Sequence, residues 1–331
     1  MTATDFLVTT PLPDPGMRLL ESAGSVTVAG TRMSRDELAQ ACASGDYRVV
    51  VAQLRDEFDA PLLDKARISG ISNFAVGYNN IDVTAATANS IVIGNTPGVL
   101  TDATADIALL LILAVARRAV EADTFVRAGK FHGWEPELLL GHDVSGKTLG
   151  LAGFGRIARA TARRALAFGM TVEFCPRPPG DRVVSDEELG EFAGRVRQVP
   201  WPELVANSDY LSVHVPLNAH TRHLVDASVL SAMKRSAILI NTARGPIVDE
   251  QALVAALREG TIAGAGLDVY EEEPRLAPGL AELPNTVLLP HVGSATVPVR
   301  AEMARRCAEN AVAMARGERP PYPVNPEALA R

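Results

Sequence analysis

The chain has 331 residues, 47% of them hydrophobic and 21% charged, with a formal net charge of −7. That length suits two domains of ordinary size, and the composition is that of a compact globular protein. The acidic balance, with no Lys/Arg-rich run, argues against a nucleic-acid partner and leaves room for a small anion held by one or two local cations.

From the start, short β-branched runs alternate with helical patterns. Strands are expected near 6–9, 26–28, 48–52, 68–71 and 91–93, and the capping box Ser34-x-x-Glu37 opens one of the helices between them. Such alternation specifies a parallel α/β sheet. No glycine fingerprint occurs in this part, so a cofactor is not expected on the first sheet. The opening MTATDFLVTT lacks the basic start and apolar core of a signal peptide, and a cytoplasmic location is expected. Cys42, Cys175 and Cys307 are scattered and odd in number, without C-x-x-C spacing, which fits a reducing compartment and neither a disulfide framework nor a zinc site.

Asn95-Thr96-Pro97-Gly98 is a turn cluster, and one long helix is expected over 102–127 as the crossing into a second domain. Its apolar run, 107–116, is about half of what a bilayer crossing requires. A second series follows, with six strands near 149–152, 172, 210–213, 238–240, 265–267 and 287–289, the count of a complete doubly wound nucleotide domain. The tail adds a helix at 300–316 and a Pro-rich end, and is expected to fold back on the first sheet. The expected division is 1–98 plus 297–331 for one domain and 99–296 for the other.

The second series opens with TLGLAGFGRIARATA. An apolar strand runs into Gly153-Phe154-Gly155 and a helix begins at once, with Ala158 closing a G-x-G-x-x-G/A fingerprint. Glycines there permit a tight turn and close approach of a pyrophosphate, which the free N–H groups and dipole of the helix start attract. A bare match to this pattern is weak. The strand before, the helix after and a second strand at 171–175 supply the βαβ context.

Three polar groups stand where strands of this series end: Arg244 after ILINTA, Glu273 after GLDVYEE and His291 after VLLP. An arginine fork can grip a 2-oxo acid, a histidine can deliver a proton, and a carboxylate beside the histidine orients it. Singly, each has an ordinary structural explanation as a turn residue, a solvated loop acid or a satisfied loop histidine. Three together at strand ends point to a site. His220 and His223 in NAHTRH have i, i+3 spacing on a polar loop, and His132, His142 and His214 show no convergent pattern, so no metal is expected.

The motifs VTTPLPDPGMRLLESAG, ISNFAVGYNNIDV, GNTPGVLTDATAD, GHDVSGKTLGLAGFGRIA, HVPLNAHTRHLV, INTARGPIVDE, AGLDVYEEEP and LLPHVGSAT, in this order, cover nearly the whole chain. In them the sequence resembles the D-2-hydroxyacid dehydrogenase family, and most of all its glyoxylate/hydroxypyruvate reductases. The resemblance implies two doubly wound parallel-sheet α/β domains, a Rossmann-type cofactor domain and a flavodoxin-like substrate domain. It implies Arg244 as the substrate-orienting cation, His291 as the general acid/base and Glu273 as its partner. It also implies that the backbone at Val76 and Gly77 receives the substrate carboxylate, that Gln53 and Leu54 line the pocket, and that Trp134 reaches the partner subunit's site in a homodimer.

For the cofactor, the resemblance assigns Gly153, Gly155, Thr104, Arg156 and Ile157 to the phosphates, Val215 and Pro216 to the adenosine side, and Thr242, Ala243, Asp268 and Gly293 to the nicotinamide end. One departure is informative. After the second strand an NAD enzyme usually places an acid for the ribose hydroxyls, whereas this chain has Pro176 and then Arg177. A cation without the acid suits a 2′-phosphate, so NADP(H) is expected to be preferred, with NAD(H) possible. Glu173 falls inside the strand and is not counted. The expected reaction is reduction of a small anionic 2-oxo acid such as glyoxylate or hydroxypyruvate, with no nucleic-acid or membrane partner. Rival readings are another D-2-hydroxyacid, phosphoglycerate, formate or phosphite dehydrogenase, or a dinucleotide-sensing protein of the corepressor type.

Overall fold

The alternation read from the sequence is carried out strand by strand. A computed structural model describes residues 4–180 and 182–330 of the chain, so the first three residues of MTATDFLVTT lie outside the described residues. It divides into two compact units, residues 1–100 with 295–331, and residues 101–294.

The first unit holds five strands, β1 (Thr4–Val8), β2 (Val26–Val28), β3 (Tyr47–Ala52), β4 (Gly70–Asn73) and β5 (Val92–Gly94). All pair in parallel, in the order β2-β1-β3-β4-β5, which is the flavodoxin-like doubly wound order. Covering both faces of such a sheet with helices excludes water from whole strands, and Val49, Val50, Val51 and Ala52 are accordingly fully buried in succession. The Ser34 capping box forms as read, with the Ser34 hydroxyl accepting from the Glu37 N–H and the Glu37 carboxylate from the Ser34 N–H. The fourth strand starts two residues later than expected, at Gly70, and Ile68 just before it is buried in the core. The tail helix, Val297–Ala315, begins at the Thr296 cap ahead of the expected 300 and packs on this sheet, where the Ser72 hydroxyl donates to Cys307 O at 2.7 Å.

The second unit carries β6 (Thr148–Ala152), β7 (Thr171–Cys175), β8 (Arg197–Gln198), β9 (Tyr210–Val213), β10 (Ile238–Asn241), β11 (Gly264–Leu267) and β12 (Thr286–Leu288). The order is β12-β11-β10-β9-β6-β7-β8, again all parallel. Seven strands replace the six expected. The addition, β8, is two residues long at the sheet's edge and has a polar sequence that gives no strand signal. Chain direction across the sheet reverses between β6 and β9, the switch point outside whose carboxyl ends open α/β sheets bind ligands.

The expected helix over 102–127 is two helices, Thr101–Ala116 and Ala119–Arg127. Arg118 between them is left-handed, at φ 50°, and the last carbonyl of the first helix, Ala116 O, accepts from the His142 N–H at 2.8 Å. The returning strand of chain thereby takes up the carbonyl that a continuing helix would have used. Leu111 on the first helix is fully buried in the same cluster as Ile238 and Ile240 of β10. Leu111→Ala is expected to destabilise the protein by about 2–5 kcal/mol, read as a lowered thermal unfolding midpoint.

Candidate active site

At the end of β6 the chain turns at Gly153, where φ is 99° and an added Cβ would lie 2.9 Å from His214 O, so a side chain is excluded on both counts. Phe154 anchors the turn from inside, its ring stacked on Phe174 with centroids 4.0 Å apart. The helix Arg156–Ala167 then opens at Gly155. Helices opened by Ser34, Asp82, Asp249 and Thr296 are closed by those side chains, but this one has no side-chain cap. A Cβ at Gly155 would meet nothing within 4 Å. The first-turn peptides of Arg156 and Ile157 therefore face open space with the positive end of the helix dipole behind them, which is how a helix start accepts a phosphate. Ala158, the last fingerprint position, is fully buried behind the turn.

Next to β6, β9 leads into Val215 and Pro216, and the Thr221 hydroxyl holds Pro216 O at 2.7 Å. On the other side β7 leads to Pro176 and the exposed Arg177, for which no acidic partner is seen among the described residues. Glu173 is buried in the strand and taken by Arg197 at 2.6 Å, so it is not available to a ribose.

The polar residues after β10, β11 and β12 are tied to one another. Buried Asn241 stitches the first loop, accepting from the Ala243 N–H and donating to Arg244 O, both at 3.0 Å. Arg244 Nη1 donates to Ala243 O at 2.7 Å. Burial lowers the pKa of its guanidinium, and the charge of Glu273 opposes that. The loop runs directly against the next one, since a Cβ on Gly245 would fall 1.8 Å from the Tyr270 carbonyl.

After β11, the carboxylate of Asp268, 1% exposed, accepts the N–H groups of Val292 and Gly293 at 2.7 Å each. Burial raises its pKa, against those two hydrogen bonds and the charge of His291. The Tyr270 hydroxyl donates to Leu289 O at 2.8 Å, and its N–H donates to Glu273 Oε1 at 3.1 Å. Glu273 Oε2 then meets His291 Nδ1 at 2.9 Å. Burial alone would push the Glu273 carboxyl up, but the hydrogen bond and charge of His291, the Tyr270 N–H and the Arg244 charge bring it below its ordinary value. His291 is left-handed, at φ 55°, a conformation held by the Asp268 bonds to the two residues after it. The carboxylate fixes one ring nitrogen and leaves Nε2 for chemistry.

The structure thus gathers Glu273 and His291 into a pair, with Arg244 near enough for its charge to act on Glu273. Thr104 joins the same corner, its hydroxyl donating to Gly293 O at 3.2 Å. Thr242 Oγ1 is buried without a partner, an unanswered polar group of the kind a bound ligand satisfies. The uncapped helix, the open space at Gly155 and this hydroxyl fit a dinucleotide. No cluster of three or more His, Cys, Asp or Glu suited to a metal occurs among the described residues, and His223 is bonded to Glu271 at 2.6 Å. Trp134 is 83% exposed and joins none of these groups within the chain.

Gln53, Leu54, Val76 and Gly77 belong to the other unit. There Asp56 accepts from the Gln53 N–H at 2.7 Å, and the Val76 and Gly77 carbonyls accept from Asn95 and Asn73. Sequence reasoning missed these asparagines, and Asn241 and Tyr270 as well. The signal available for Tyr270 was its place between Asp268 and Glu273. The asparagines gave none, being common turn residues.

An uncapped Rossmann turn together with an imidazole–carboxylate pair at neighbouring strand ends defines a nicotinamide-dinucleotide oxidoreductase. The chain belongs to the D-isomer specific 2-hydroxyacid dehydrogenases: the family's NAD binding domain matches residues 109–293. It is 48% identical over 285 residues to a glyoxylate reductase of Thermococcus litoralis, covering 85% of this chain and 84% of that one. With a glyoxylate reductase of Thermococcus onnurineus the identity is 45% over 331 residues, covering 98% and 96%. Among solved structures, an NADPH-dependent glyoxylate/hydroxypyruvate reductase from Sinorhizobium meliloti, in complex with NADP and malonate, superposes with a TM-score of 0.84 at 34% identity, covering 98% of both chains.

Gly155→Asp supplies the missing cap and sets a carboxylate where the pyrophosphate would lie. Helix stability is expected to hold or rise by a few tenths of a kcal/mol, while affinity for NADPH and NADH falls by about a hundredfold or more through charge repulsion. Thermal melts and fluorescence titration of the dinucleotide read the two effects separately.

Proposed function

We propose that the protein reduces a small 2-oxo acid, glyoxylate or hydroxypyruvate, to the 2-hydroxy acid, with NADPH preferred over NADH. The observation that carries this reading is the Glu273–His291 pair at 2.9 Å beside the Arg244 cation, at the carboxyl ends of three adjacent strands. Its names come from the glyoxylate reductase relatives and, for the cofactor, from the NADPH-dependent neighbour.

The bound nicotinamide supplies the hydride to the keto carbon. Gly153, Gly155, Thr104 and the free peptides of Arg156 and Ile157 would hold the pyrophosphate, with Val215 and Pro216 on the adenosine side and Thr242, Ala243, Asp268 and Gly293 toward the nicotinamide. Arg177, a cation where an acid would favour NADH, receives the 2′-phosphate. Arg244 orients the acid and polarises its keto oxygen. His291, with Nδ1–H donating to Glu273, gives its Nε2 proton to the developing alkoxide, and Glu273 stabilises the imidazolium until then. Asp268 keeps His291 in position through Val292 and Gly293. On the resemblance, the Val76 and Gly77 amides receive the substrate carboxylate, and Gln53 and Leu54 line its surroundings.

The same reading makes the enzyme a cytoplasmic homodimer. No helix among the described residues is long and apolar enough to cross a membrane. Val120, Val126, Phe131, Trp134 and Leu140 expose apolar side chains along one stretch of chain, next to a groove of about 870 Å³ that Val120, Phe125, Leu140 and Pro284 help to line. A second copy covering this stretch would account for it, with Trp134 reaching the partner's site as in the resembled subgroup.

The deciding assay follows NADPH and NADH oxidation with glyoxylate, hydroxypyruvate, pyruvate and a bulkier 2-oxo acid. Efficient NADPH use with the two small polar acids is the expected result, and no turnover with any acid would overturn the reading in favour of another substrate or a sensing protein. His291→Ala is expected to lower kcat by about 10²–10⁴-fold with cofactor affinity kept. Arg177→Ala is expected to raise KM for NADPH and leave that for NADH nearly unchanged. Val126→Asp is expected to yield monomers in sedimentation.

A further inference from the structure

In the first unit, the loop after β4 carries a run of three carbonyls that are all drawn inward. Ala75 O accepts the Thr96 N–H at 2.9 Å, Val76 O accepts Asn95 Nδ2 at 2.7 Å, and Gly77 O accepts Asn73 Nδ2 at 3.0 Å. In a trans peptide the N–H points opposite to the C=O. Fixing these three carbonyls therefore turns the N–H groups of Val76, Gly77 and Tyr78 outward, and none of the three has an acceptor among the described residues. Three successive outward amides form a concavity for an anion.

The two asparagines are themselves held. Asn73 is fully buried at the end of β4, and its amide also reaches Asn80 Oδ1 at 3.2 Å. Asn80 in turn donates to Asp56 O at 2.9 Å and to Gln53 O at 3.2 Å, so one chain of amides spans the Gln53 loop and the Val76 loop. Asn95 is 9% exposed, gives its N–H to Tyr322 O at 3.1 Å and takes a bond from Asn310 Nδ2 at 2.9 Å on its own carbonyl. Through Asn310, the helix Val297–Ala315 backs the loop from the far end of the sequence.

We infer that Asn73 and Asn95 are positioning residues for substrate: by holding the Gly77 and Val76 carbonyls they aim the amides that bind the carboxylate of a small 2-oxo acid. This rests on the function proposed above and adds the groups that make the amides an anion site. An amide side chain is required because only a donor can hold a carbonyl inward. Asp at either position keeps the size but sets carboxylate oxygen against carbonyl oxygen and releases the peptide.

The test compares Asn95→Asp, Asn95→Ala and Asn73→Asp with the parent enzyme. Steady-state kinetics with glyoxylate, calorimetric binding of oxalate in the presence of NADPH, NADPH titration and thermal melts are measured on each. The expected result is a rise of about tenfold or more in KM for glyoxylate and in the oxalate Kd, far exceeding any fall in kcat, with NADPH affinity unaltered. Folded variants, by melt and NADPH binding, whose glyoxylate KM and oxalate Kd match the parent's would overturn the inference. A parent that binds oxalate without reducing glyoxylate would sink the substrate reading alone, and the oxalate comparison would still decide the role of the asparagines. A parent that does neither sinks both. If Asn73→Asp does not fold, the two Asn95 variants carry the test.

Discussion

The grip of one buried carboxylate on two backbone N–H groups sets the geometry on which the polar corner around His291 depends. Asp268 stands at the end of β11 and closes on Val292 and Gly293, just past β12. Two charge-assisted bonds at 2.7 Å overcome the left-handed backbone of His291, which a non-glycine residue does not adopt freely. The Tyr270 hydroxyl ties Leu289, two residues before His291, so the histidine hangs between that point and the bonded pair Val292 and Gly293 that follows it. Its orientation is built before any ligand arrives.

Why such a corner sits where it does follows from the parallel sheet. In a sheet whose strands all run one way, every carboxyl end lies on one edge, and the loops leaving it are neighbours even when far apart in sequence. Arg244, Asp268, Glu273 and His291 leave β10, β11 and β12 in turn, which are consecutive in the sheet as well as in the chain. At the same edge, the order reverses between β6 and β9, next to the turn at Gly155, whose helix has no side-chain cap. At other helix starts, such as Ser34, Asp82, Asp249 and Thr296, a side chain takes up a first-turn N–H. Here glycine leaves the N–H groups for something else.

Much of this was legible in the sequence, for reasons that differ by residue. Strand alternation and the Gly153/Gly155 fingerprint are local patterns with a direct physical meaning. Arg244, Glu273 and His291 stood out because polar residues at strand ends are exceptional against the apolar runs before them. What could not be read depended on partners distant in sequence. The break at Arg118 requires the segment near His142 to return and take the Ala116 carbonyl. The strand β8 has no apolar pattern and exists because Phe174 and Glu173 of β7 offer an open edge. Asn95 reads as an ordinary turn residue until Asn310, over two hundred residues later, is placed against it.

The two carboxylates near His291 show how the same chemical group is assigned opposite work by its surroundings. For both, burial is the largest influence and disfavours the charged form. At Asp268 it prevails, because the compensation is mainly two neutral backbone N–H groups, and the carboxyl ends above its ordinary value. At Glu273 the His291 hydrogen bond and charge, with help from Arg244, outweigh burial, and the carboxyl ends below its ordinary value. Glu273 is thus the anion that answers charge on the imidazole, and Asp268 is the brace that holds the loop. The distinction rests on which partner is charged: a cationic ring gives a carboxylate a reason to stay ionised that an amide N–H gives less strongly. Both carboxylates stand on the loop after β11, and it is Glu273 that meets the His291 ring across from the left-handed turn after Pro290.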